Sequence, residues 1–256
     1  MRPTPEWIKA TAASGVLNIE DTWVSRKHRY FYMGIPKTAC SKVKMVLQQL
    51  EGNPLPPNPF GVHARTDSGI TFVPKLADFS PDEAVDVLTS SAWFRFSFIR
   101  NPYSRLFSGY RNKVMDLNSP WVGFREAIRE MAGYPTPPGA SPCMVAFRDF
   151  VRYVSQQPDV QRDGHWRSQM GTLCTDAIDY EFIGRMETFA EDFTRVLDRF
   201  GASGSLKASV HEVVGASIAI PNAAAYDTEL ASVVYEMYRG DFETFGYDRD
   251  SWRFPD

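Results

Sequence analysis

Residues 29–47 read RYFYMGIPKTACSKVKMVL, and this stretch decides the fold. Its first part, residues 30–34, is apolar on both faces, as expected of a buried parallel strand. From Ser41 to Leu50 apolar residues recur at helical spacing, so a helix follows after a short turn. The first N–H groups of a helix have no intrahelical partner, and the helix dipole favours negative charge there. The stretch therefore predicts an anion-binding site at a strand–turn–helix junction.

The turn itself adds side-chain donors. An anion bound there would be within reach of the ammonium and hydroxyl groups of Lys37, Thr38, Ser41 and Lys42. The turn does not fit a P-loop, because Gly34 is its only glycine and the lysine stands at the front. We therefore expect a phosphate-like ligand without a demand for a metal ion. An ordinary turn with solvent-facing lysines is the alternative.

A second stretch, residues 93–113, reads WFRFSFIRNPYSRLFSGYRNK and repeats the pattern of a buried strand that runs into a helix. Arg100 stands at the carboxyl end of this strand, and Ser108 lies about two helical turns further on. Ligands of open α/β sheets bind outside the carboxyl ends of the strands, where an arginine can hold a phosphate with two hydrogen bonds. Two such ends predict one ligand with two anionic groups. Arg105 and Arg111 lie in the same stretch, and surface salt bridges are the alternative to a role for them at this site.

Composition limits the class of protein and of partner. The chain has 256 residues, 43% of them hydrophobic, with a net charge of −3 and a pI of about 5.9. A sizeable core can be buried, and a small anion held by a few cations is expected rather than a nucleic acid. Cys40, Cys143 and Cys174 are too few for a disulfide framework and fit a reducing compartment, although a Cys143–Cys174 bridge stays possible. No apolar run reaches membrane-spanning length, so a soluble, cytoplasmic protein without membrane contact is expected.

Strands and helices alternate along the chain, which predicts a parallel α/β sheet in one domain, residues 1–256, with a core at about 28–248. Later strands are expected at residues 93–99 and 180–184, and a short one at 61–64. Helices are expected at residues 41–50, from Ser80, at 102–115, 121–131 and 144–154, from Thr188 to 201, and at 227–239. The helices that start at Ser80 and Thr188 show capping boxes. Residues 133–142 are a candidate lid or insertion, and residues 201–220 are expected to form a loop.

Together these stretches resemble sulfotransferases that use 3′-phosphoadenosine-5′-phosphosulfate (PAPS). PKTACSK is similar to their 5′-phosphosulfate loop, and FIRNPYSRLFSGYRNK to their 3′-phosphate motif. The similarity is greater to the carbohydrate sulfotransferases of the chondroitin, dermatan and HNK-1 type, through GHWRSQ, IDYEFIGRME and VYEMYRGDFETFGY at residues 164–169, 178–187 and 234–247. The resemblance implies a P-loop-like, three-layer α/β/α fold with a central parallel sheet and helical insertions.

The resemblance also implies a donor and its binding residues. PAPS would be bound without a metal ion, and its product would be 3′-phosphoadenosine-5′-phosphate. Arg100 and Ser108 would hold the 3′-phosphate, and Arg185 would lie near the nucleotide. The 5′-phosphosulfate would be held by Pro36, Lys37, Thr38, Ala39, Cys40, Ser41 and Lys42.

The implied reaction is an in-line displacement in which an acceptor hydroxyl attacks sulfur while the nucleotide phosphate leaves. Catalysis then consists of positioning and of donors aimed at the developing charge. Lys37 is the candidate that stabilises the leaving oxygen. A base must take the hydroxyl proton, and histidine suits neutral pH. His63 and His165 are the candidates, whereas His28 and His211 are expected to be structural or solvated.

The acceptor is expected to be a carbohydrate or a small molecule with a hydroxyl group. Trp121, Tyr134 and Trp166 could stack on it, or could instead belong to the core. A nucleotide kinase and a non-catalytic nucleotide-binding protein are the competing functions. Unlike in the vertebrate Golgi enzymes, no amino-terminal anchor is expected, and Thr175 follows Cys174 where those enzymes often have a second cysteine. A soluble enzyme is therefore expected, and the oligomeric state is left open.

Overall fold

The computed structural model describes residues 2–67, 69–117, 120–134, 144–211 and 224–254. It divides into two compact units. Unit 1 comprises Met1–Arg100 and Gly171–Ile218, and unit 2 comprises Asn101–Met170 and Ala219–Asp256. That the whole chain acts as one sulfotransferase domain stays a prediction.

The strands and helices have the following bounds. The strands are β1 Thr22–Ser25, β2 Tyr30–Met33, β3 Thr66–Asp67, β4 Ile70–Thr71, β5 Phe94–Ile99 and β6 Phe182–Arg185. The helices are α1 Pro5–Ala13, α2 Cys40–Leu50, α3 Pro81–Thr89, α4 Pro102–Lys113, α5 Val122–Met131, α6 Phe147–Ser155, α7 Gln169–Leu173, α8 Phe189–Arg199, α9 Gly204–Ser209, α10 Thr228–Met237 and α11 Arg239–Phe245.

Unit 1 is built on a four-stranded sheet in the order β1-β2-β5-β6. β2 and β5 are parallel, with Tyr30 opposite Phe94, and β5 and β6 are parallel, with Phe96 opposite Phe182. The predicted α/β class is confirmed. The antiparallel edge strand β1 and the short hairpin of β3 with β4 were not predicted.

The sheet is buried on both faces, as its apolar sequence predicts. On one face the aromatic rings of β2 and β5 join one hydrophobic cluster with α2 and α8, through Tyr30, Tyr32, Phe96, Phe98, Val43, Leu47, Phe193 and Leu197. On the other face Phe31 and Met33 are fully buried as well. A strand covered on both sides reads as a continuous apolar run, which is why residues 30–34 were recognisable.

Unit 2 is helical. α4, α5, α6 and α10 contribute Tyr103, Ile128, Phe150 and Val234 to one buried cluster that also contains Trp166. These helices correspond to the predicted helical insertions. The burial of Trp166 favours the core alternative for this aromatic residue.

Several local predictions were wrong. Residues 61–64 do not form a strand, because Pro59–His63 is a 3₁₀ helix whose N–H groups bond locally, with Gly61 donating to Asn58 and Ala64 to Gly61. The capping box at Thr188 does not form, since the Thr188 hydroxyl donates to Asp192 instead (2.7 Å). The expected loop at 201–220 contains α9, where Ser203 caps the helix. The capping box at Ser80 is confirmed. Residues 135–142 of the expected lid, residues 212–220 and Cys143 lie outside the described residues.

The register of β5 with β6 generates a stability prediction. Gly184 lies opposite Phe98, and a Cβ at Gly184 would lie 2.4 Å from Cε1 of the Phe98 ring. We expect Gly184→Ala to lower the free energy of unfolding by about 1–3 kcal/mol, because the packed ring has to move. Denaturant unfolding measures it. Gly123→Ala on α5 is the matched control, since no atom lies within 4 Å of its added Cβ, and helix propensity should make it neutral or stabilising.

Candidate nucleotide-binding site

The turn between β2 and α2 has an unusual backbone. Lys37 has a φ of 73° and Ala39 a φ of 56° with ψ of 25°, both in the left-handed region that non-glycine residues seldom adopt. Ala39 is the N-cap, and Cys40 is the first helical residue of α2. A left-handed residue followed by a right-handed one turns successive N–H groups toward a common point and forms an anion-binding concavity. The predicted anion site therefore has a suitable backbone.

Side chains at the turn are held in different ways. The Thr38 hydroxyl is buried and donates to the carbonyl of Ile35 (2.9 Å), which closes the turn. Lys42 is also buried, and its ammonium donates to the carbonyl of Ser209 at the end of α9 (2.5 Å). Lys37 is half-buried within the turn itself. Of the two predicted lysines, Lys42 thus directs its ammonium to α9, whereas Lys37 lies in the left-handed turn.

Cys40 begins α2 but is not poised as a nucleophile. Desolvation raises the pKa of its thiol above the ordinary value, although the nearby ammonium of Lys44 opposes the shift. The thiol is therefore protonated at neutral pH, whereas reactive cysteines are thiolates. A role for Cys40 through its backbone N–H at the start of the helix fits this environment better.

A chain of polar contacts links the turn to His63. The Ser41 hydroxyl lies 2.8 Å from Nε2 of His63, and Nδ1 of the same ring lies 3.5 Å from the Lys44 ammonium. That ammonium is 3.0 Å from the carboxylate of Asp21. The structure thus brings the predicted residues Ser41 and His63 together. Lys44 and Asp21 were missed, although a lysine within the apolar stripe of α2 was a visible pattern.

Gly34 permits this arrangement. Its N–H donates to the carbonyl of Asp21 (3.0 Å), and a Cβ at Gly34 would lie 3.1 Å from that oxygen and 3.5 Å from Cε of Lys44. Glycine is needed because the end of β2 passes so close to both residues.

The strands β5 and β6 bring two predicted arginines to one edge of the sheet. Ile99 is opposite Arg185 in the parallel register, so Arg100 follows immediately after the partner of Arg185. Both arginines are half-buried. The backbone N–H of Arg185 donates to Asp192 (2.9 Å), which fixes the chain where β6 ends. The turn after β2 lies at the same end of parallel strands, so three neighbouring strand ends carry cationic residues.

Unit 2 contains the other half of the predicted 3′-phosphate motif. Ser108 is half-buried on α4. Arg105, on the same helix, is 2% exposed and donates to the carbonyls of Gly164 and Arg167, both at 2.7 Å. The surface salt bridge considered for Arg105 is therefore wrong, because its guanidinium is enclosed and ties the GHWRSQ segment to α4.

His165 is oriented by an acid. Its Nδ1 lies 2.6 Å from Asp163, whose carboxylate also accepts the backbone N–H of His165 (2.9 Å). Burial alone would raise the pKa of Asp163, but the hydrogen bonds from His165 hold it below its ordinary value. A carboxylate at Nδ1 favours the Nδ1–H tautomer and leaves the Nε2 lone pair able to accept a proton. This is the arrangement that a general base requires.

The described residues contain neither a metal-binding cluster nor a membrane-spanning helix. No group of histidine, cysteine, aspartate and glutamate side chains within them could hold a metal ion. No helix within them is both long enough and apolar enough to span a membrane.

Comparison with known proteins decides the family. A sequence profile of the sulfotransferase family matches residues 20–248, which include all of the predicted site residues. The chain belongs to the sulfotransferase family. The resemblance drawn from the motifs is therefore confirmed.

Among relatives in the sulfotransferase family, the chain is 32% identical to carbohydrate sulfotransferase 14 of Danio rerio over 181 residues, which are 70% of this chain and 48% of that protein. It is 27% identical to carbohydrate sulfotransferase 11 of Mus musculus over 239 residues, 88% of this chain and 66% of that protein. Carbohydrate sulfotransferase 10 of Xenopus laevis is 26% identical over 257 residues, 92% of this chain and 70% of that protein. The chain thus matches about half the length of carbohydrate sulfotransferase 14. No solved structure gives a significant match.

The backbone of the turn generates a stability prediction. Left-handed alanine costs about 1–2 kcal/mol, so Ala39→Gly should raise the free energy of unfolding by roughly 0.5–1 kcal/mol after the entropy of the added glycine is subtracted. Ala10→Gly, at an exposed position inside α1, is the control and should lower it by about 0.5–1 kcal/mol. Denaturant unfolding compares the two, and equal losses would contradict the left-handed strain at Ala39.

The contact of Asp163 with His165 predicts a pH dependence. Because the pKa of Asp163 is lowered in the folded state, its stabilising effect is present above the ordinary value of 3.8 and is lost as pH falls below it. Asp163→Asn should therefore destabilise the protein at about pH 7 and destabilise it less at about pH 3, because the effect decreases as pH falls from 3.8 toward the lowered pKa of Asp163. Denaturant unfolding at both pH values checks it, and a loss that is independent of pH would contradict the prediction.

Proposed function

We propose that this protein is a PAPS-dependent sulfotransferase that transfers a sulfuryl group to a hydroxyl group of a carbohydrate. The observation that carries the proposal is the left-handed turn at Lys37 and Ala39, which opens α2 directly after a buried parallel strand. It supplies oriented N–H groups and a lysine for an anionic group, and Arg100 and Arg185 follow the neighbouring strands. Family membership makes a phosphosulfate the anion of choice.

The proposed roles follow the family motifs residue by residue. The backbone from Pro36 to Lys42 and the hydroxyl of Ser41 would hold the 5′-phosphosulfate. Arg100 and Ser108 would hold the 3′-phosphate, and Arg185 would lie near the nucleotide. For Ser108, which belongs to unit 2, the assignment rests on the motif alone. No metal ion is required in this proposal, because cationic side chains and N–H groups neutralise the charge.

In the transfer, a bond forms between the acceptor oxygen and sulfur as the bond between sulfur and the nucleotide phosphate oxygen breaks. Negative charge grows on that phosphate oxygen, and the Lys37 ammonium stabilises it. The proton of the acceptor hydroxyl passes to a histidine, either His63 or His165. The chain's contribution is to align the reacting groups and to place donors in advance.

The acceptor class is proposed from the relatives, several of which are named carbohydrate sulfotransferases. A small molecule with a hydroxyl group is the second acceptor class that the motifs allow. The partly buried ring of Trp121, 6.3 Å from the His165 ring, could stack on a sugar beside that base candidate.

A transfer assay tests the function. The purified protein is incubated with radiolabelled PAPS and a panel of hydroxylated saccharides and small molecules, with and without a metal chelator. We expect labelled sulfate on a saccharide, with a yield that the chelator does not change. Phosphorylation of an acceptor from ATP without sulfation would identify a kinase instead. Binding of the nucleotide without transfer to any acceptor would identify a non-catalytic protein.

Arg100→Ala tests the nucleotide site without an acceptor. Loss of a charged hydrogen bond should weaken binding of 3′-phosphoadenosine-5′-phosphate by about 1.5–3 kcal/mol, which is roughly ten- to hundredfold in Kd. Arg239→Ala is the matched control, because this arginine is exposed and contacts Glu236 and the Tyr235 ring of its own segment. Calorimetric titration measures both variants, and equal affinities would remove Arg100 from the site.

A further inference from the structure

The Lys44 side chain is an exception within α2. Its neighbours Val43, Val46 and Leu47 lie in the hydrophobic cluster, and the lysine side chain itself is 0% exposed. A buried ammonium requires compensation, and the Asp21 carboxylate provides it at 3.0 Å. Replacing such a pair with apolar residues is often neutral or stabilising, so stability alone gives little reason for a charge at this position. The second contact of the ammonium, with His63, gives a different reason.

The ammonium determines which nitrogen of His63 carries the proton. An ammonium is only a donor, and it lies 3.5 Å from Nδ1. An N–H at Nδ1 would point at this positive charge, whereas a lone pair there is attracted to it. The neutral ring therefore holds its proton on Nε2, the nitrogen 2.8 Å from the Ser41 hydroxyl oxygen. Nε2–H consequently donates to Ser41.

The direction of this hydrogen bond determines what the Ser41 hydroxyl can do. A hydroxyl has one proton, and an oxygen that accepts from His63 keeps that proton for another partner. Ser41 stands in the first turn of α2, next to the left-handed Ala39, where backbone N–H groups already favour an anion. The Lys44 ammonium thus donates to Asp21 on one side and faces Nδ1 of His63 on the other, and His63 in turn donates to Ser41.

We propose that Lys44 and Asp21 are positioning residues that hold His63 in the Nε2–H tautomer and thereby commit the Ser41 hydroxyl to donate to an oxyanion bound at the start of α2. The identity of that oxyanion as the 5′-phosphate of the sulfuryl donor rests on the proposed function. In this state Nδ1 faces an ammonium and Nε2 carries a proton, so His63 has no lone pair for the acceptor's proton. The remaining candidate base is His165 of unit 2, whose Nε2 is left as an acceptor by Asp163 and whose assignment rests on its motif alone.

The tautomer is measured first, in the intact protein by ¹⁵N–¹H correlation of the histidine rings. His63 is assigned by the loss of its signals in His63→Gln. We expect a protonated Nε2 and an unprotonated Nδ1 in the wild type. Lys44→Met, which replaces the buried charge with an apolar side chain of similar length, should mix the two tautomers. A wild-type ring protonated on Nδ1, or a ring unchanged in Lys44→Met, overturns the proposal.

Binding of 3′-phosphoadenosine-5′-phosphate is measured second. Lys44→Met and Ser41→Ala should each raise Kd about tenfold, and the double variant should raise it no further, because both remove the same donor. Lys207→Met is the matched control, since this lysine of the same unit pairs with Asp198 on the surface and should leave Kd unchanged. Full additivity, or an unchanged Kd in Lys44→Met, overturns the proposal. Unfolding curves confirm that each variant is folded.

His63→Gln separates a donor from a base. The glutamine amide can donate to Ser41 as Nε2–H does, but it cannot accept a proton from the acceptor hydroxyl. We expect His63→Gln to keep the nucleotide affinity of the wild type and His63→Ala to lose it about tenfold. A glutamine variant that loses turnover by about 10²-fold or more with normal affinity would make His63 the base and overturn the proposal.

The two hypotheses fail in different ways. If the wild type transfers no sulfate to any acceptor, the proposed function fails, while the tautomer and the non-additivity of nucleotide binding can still be measured. If transfer occurs but Nδ1 of His63 is protonated, only the role of Lys44 and Asp21 fails.

Discussion

The parallel pairing of β2, β5 and β6 is the constraint on which the rest of the structure depends. Parallel strands present their carboxyl ends at the same edge, and the observed register places the turn after β2, Arg100 and Arg185 at three consecutive ends. No single segment of the sequence could gather these cations, because Lys37 and Arg185 lie 148 residues apart in the chain. The hydrogen-bond ladder does so at no cost to the core, since cations stand beyond the last buried residue of each strand.

Helix α2 combines two requirements that usually conflict. Its apolar stripe packs on the sheet with Val43 and Leu47, while its first turn and Lys44 are polar. The conflict is resolved by position. The Lys44 side chain passes the end of β2, where Gly34 leaves room for it, and its ammonium meets the Asp21 carboxylate. The Lys42 ammonium meets the carbonyl of Ser209. The helix therefore packs on the sheet through its apolar side chains and presents polar groups at its first turn.

The sequence was most informative where one physical rule dominated. The apolar runs of β2 and β5 and the serine–proline start of α3 follow from burial and capping, and the structure agrees with them. It was least informative where tertiary contacts decide. Thr188 has the local pattern of a cap, but Asp192 accepts its hydroxyl proton. Arginine is usually a surface residue, yet Arg105 is buried and donates to two carbonyls of a segment that is distant in sequence.

The same division applies to the candidate site. Lys37, Ser41 and Arg100 could be found because a turn and a strand end have local patterns. The partners that orient the histidines could not be found in this way. Asp21 and Lys44 lie 23 residues apart, and the sequence does not indicate that they pair or that Lys44 also contacts His63. Asp163 lies only two residues before His165, but the spacing alone does not distinguish a side chain that turns back from one that points to solvent.

The N-cap of α2 has one further consequence. Ala39 has no side-chain acceptor, so its side chain caps none of the first N–H groups of α2. An oxyanion bound at the turn would accept the N–H groups that the Ala39 side chain does not cap. Occupancy and helix integrity become a single equilibrium, in which each tenfold excess of ligand over Kd adds about 1.4 kcal/mol to the stability of the folded state. The start of α2 is accordingly least stable when no anion occupies the turn.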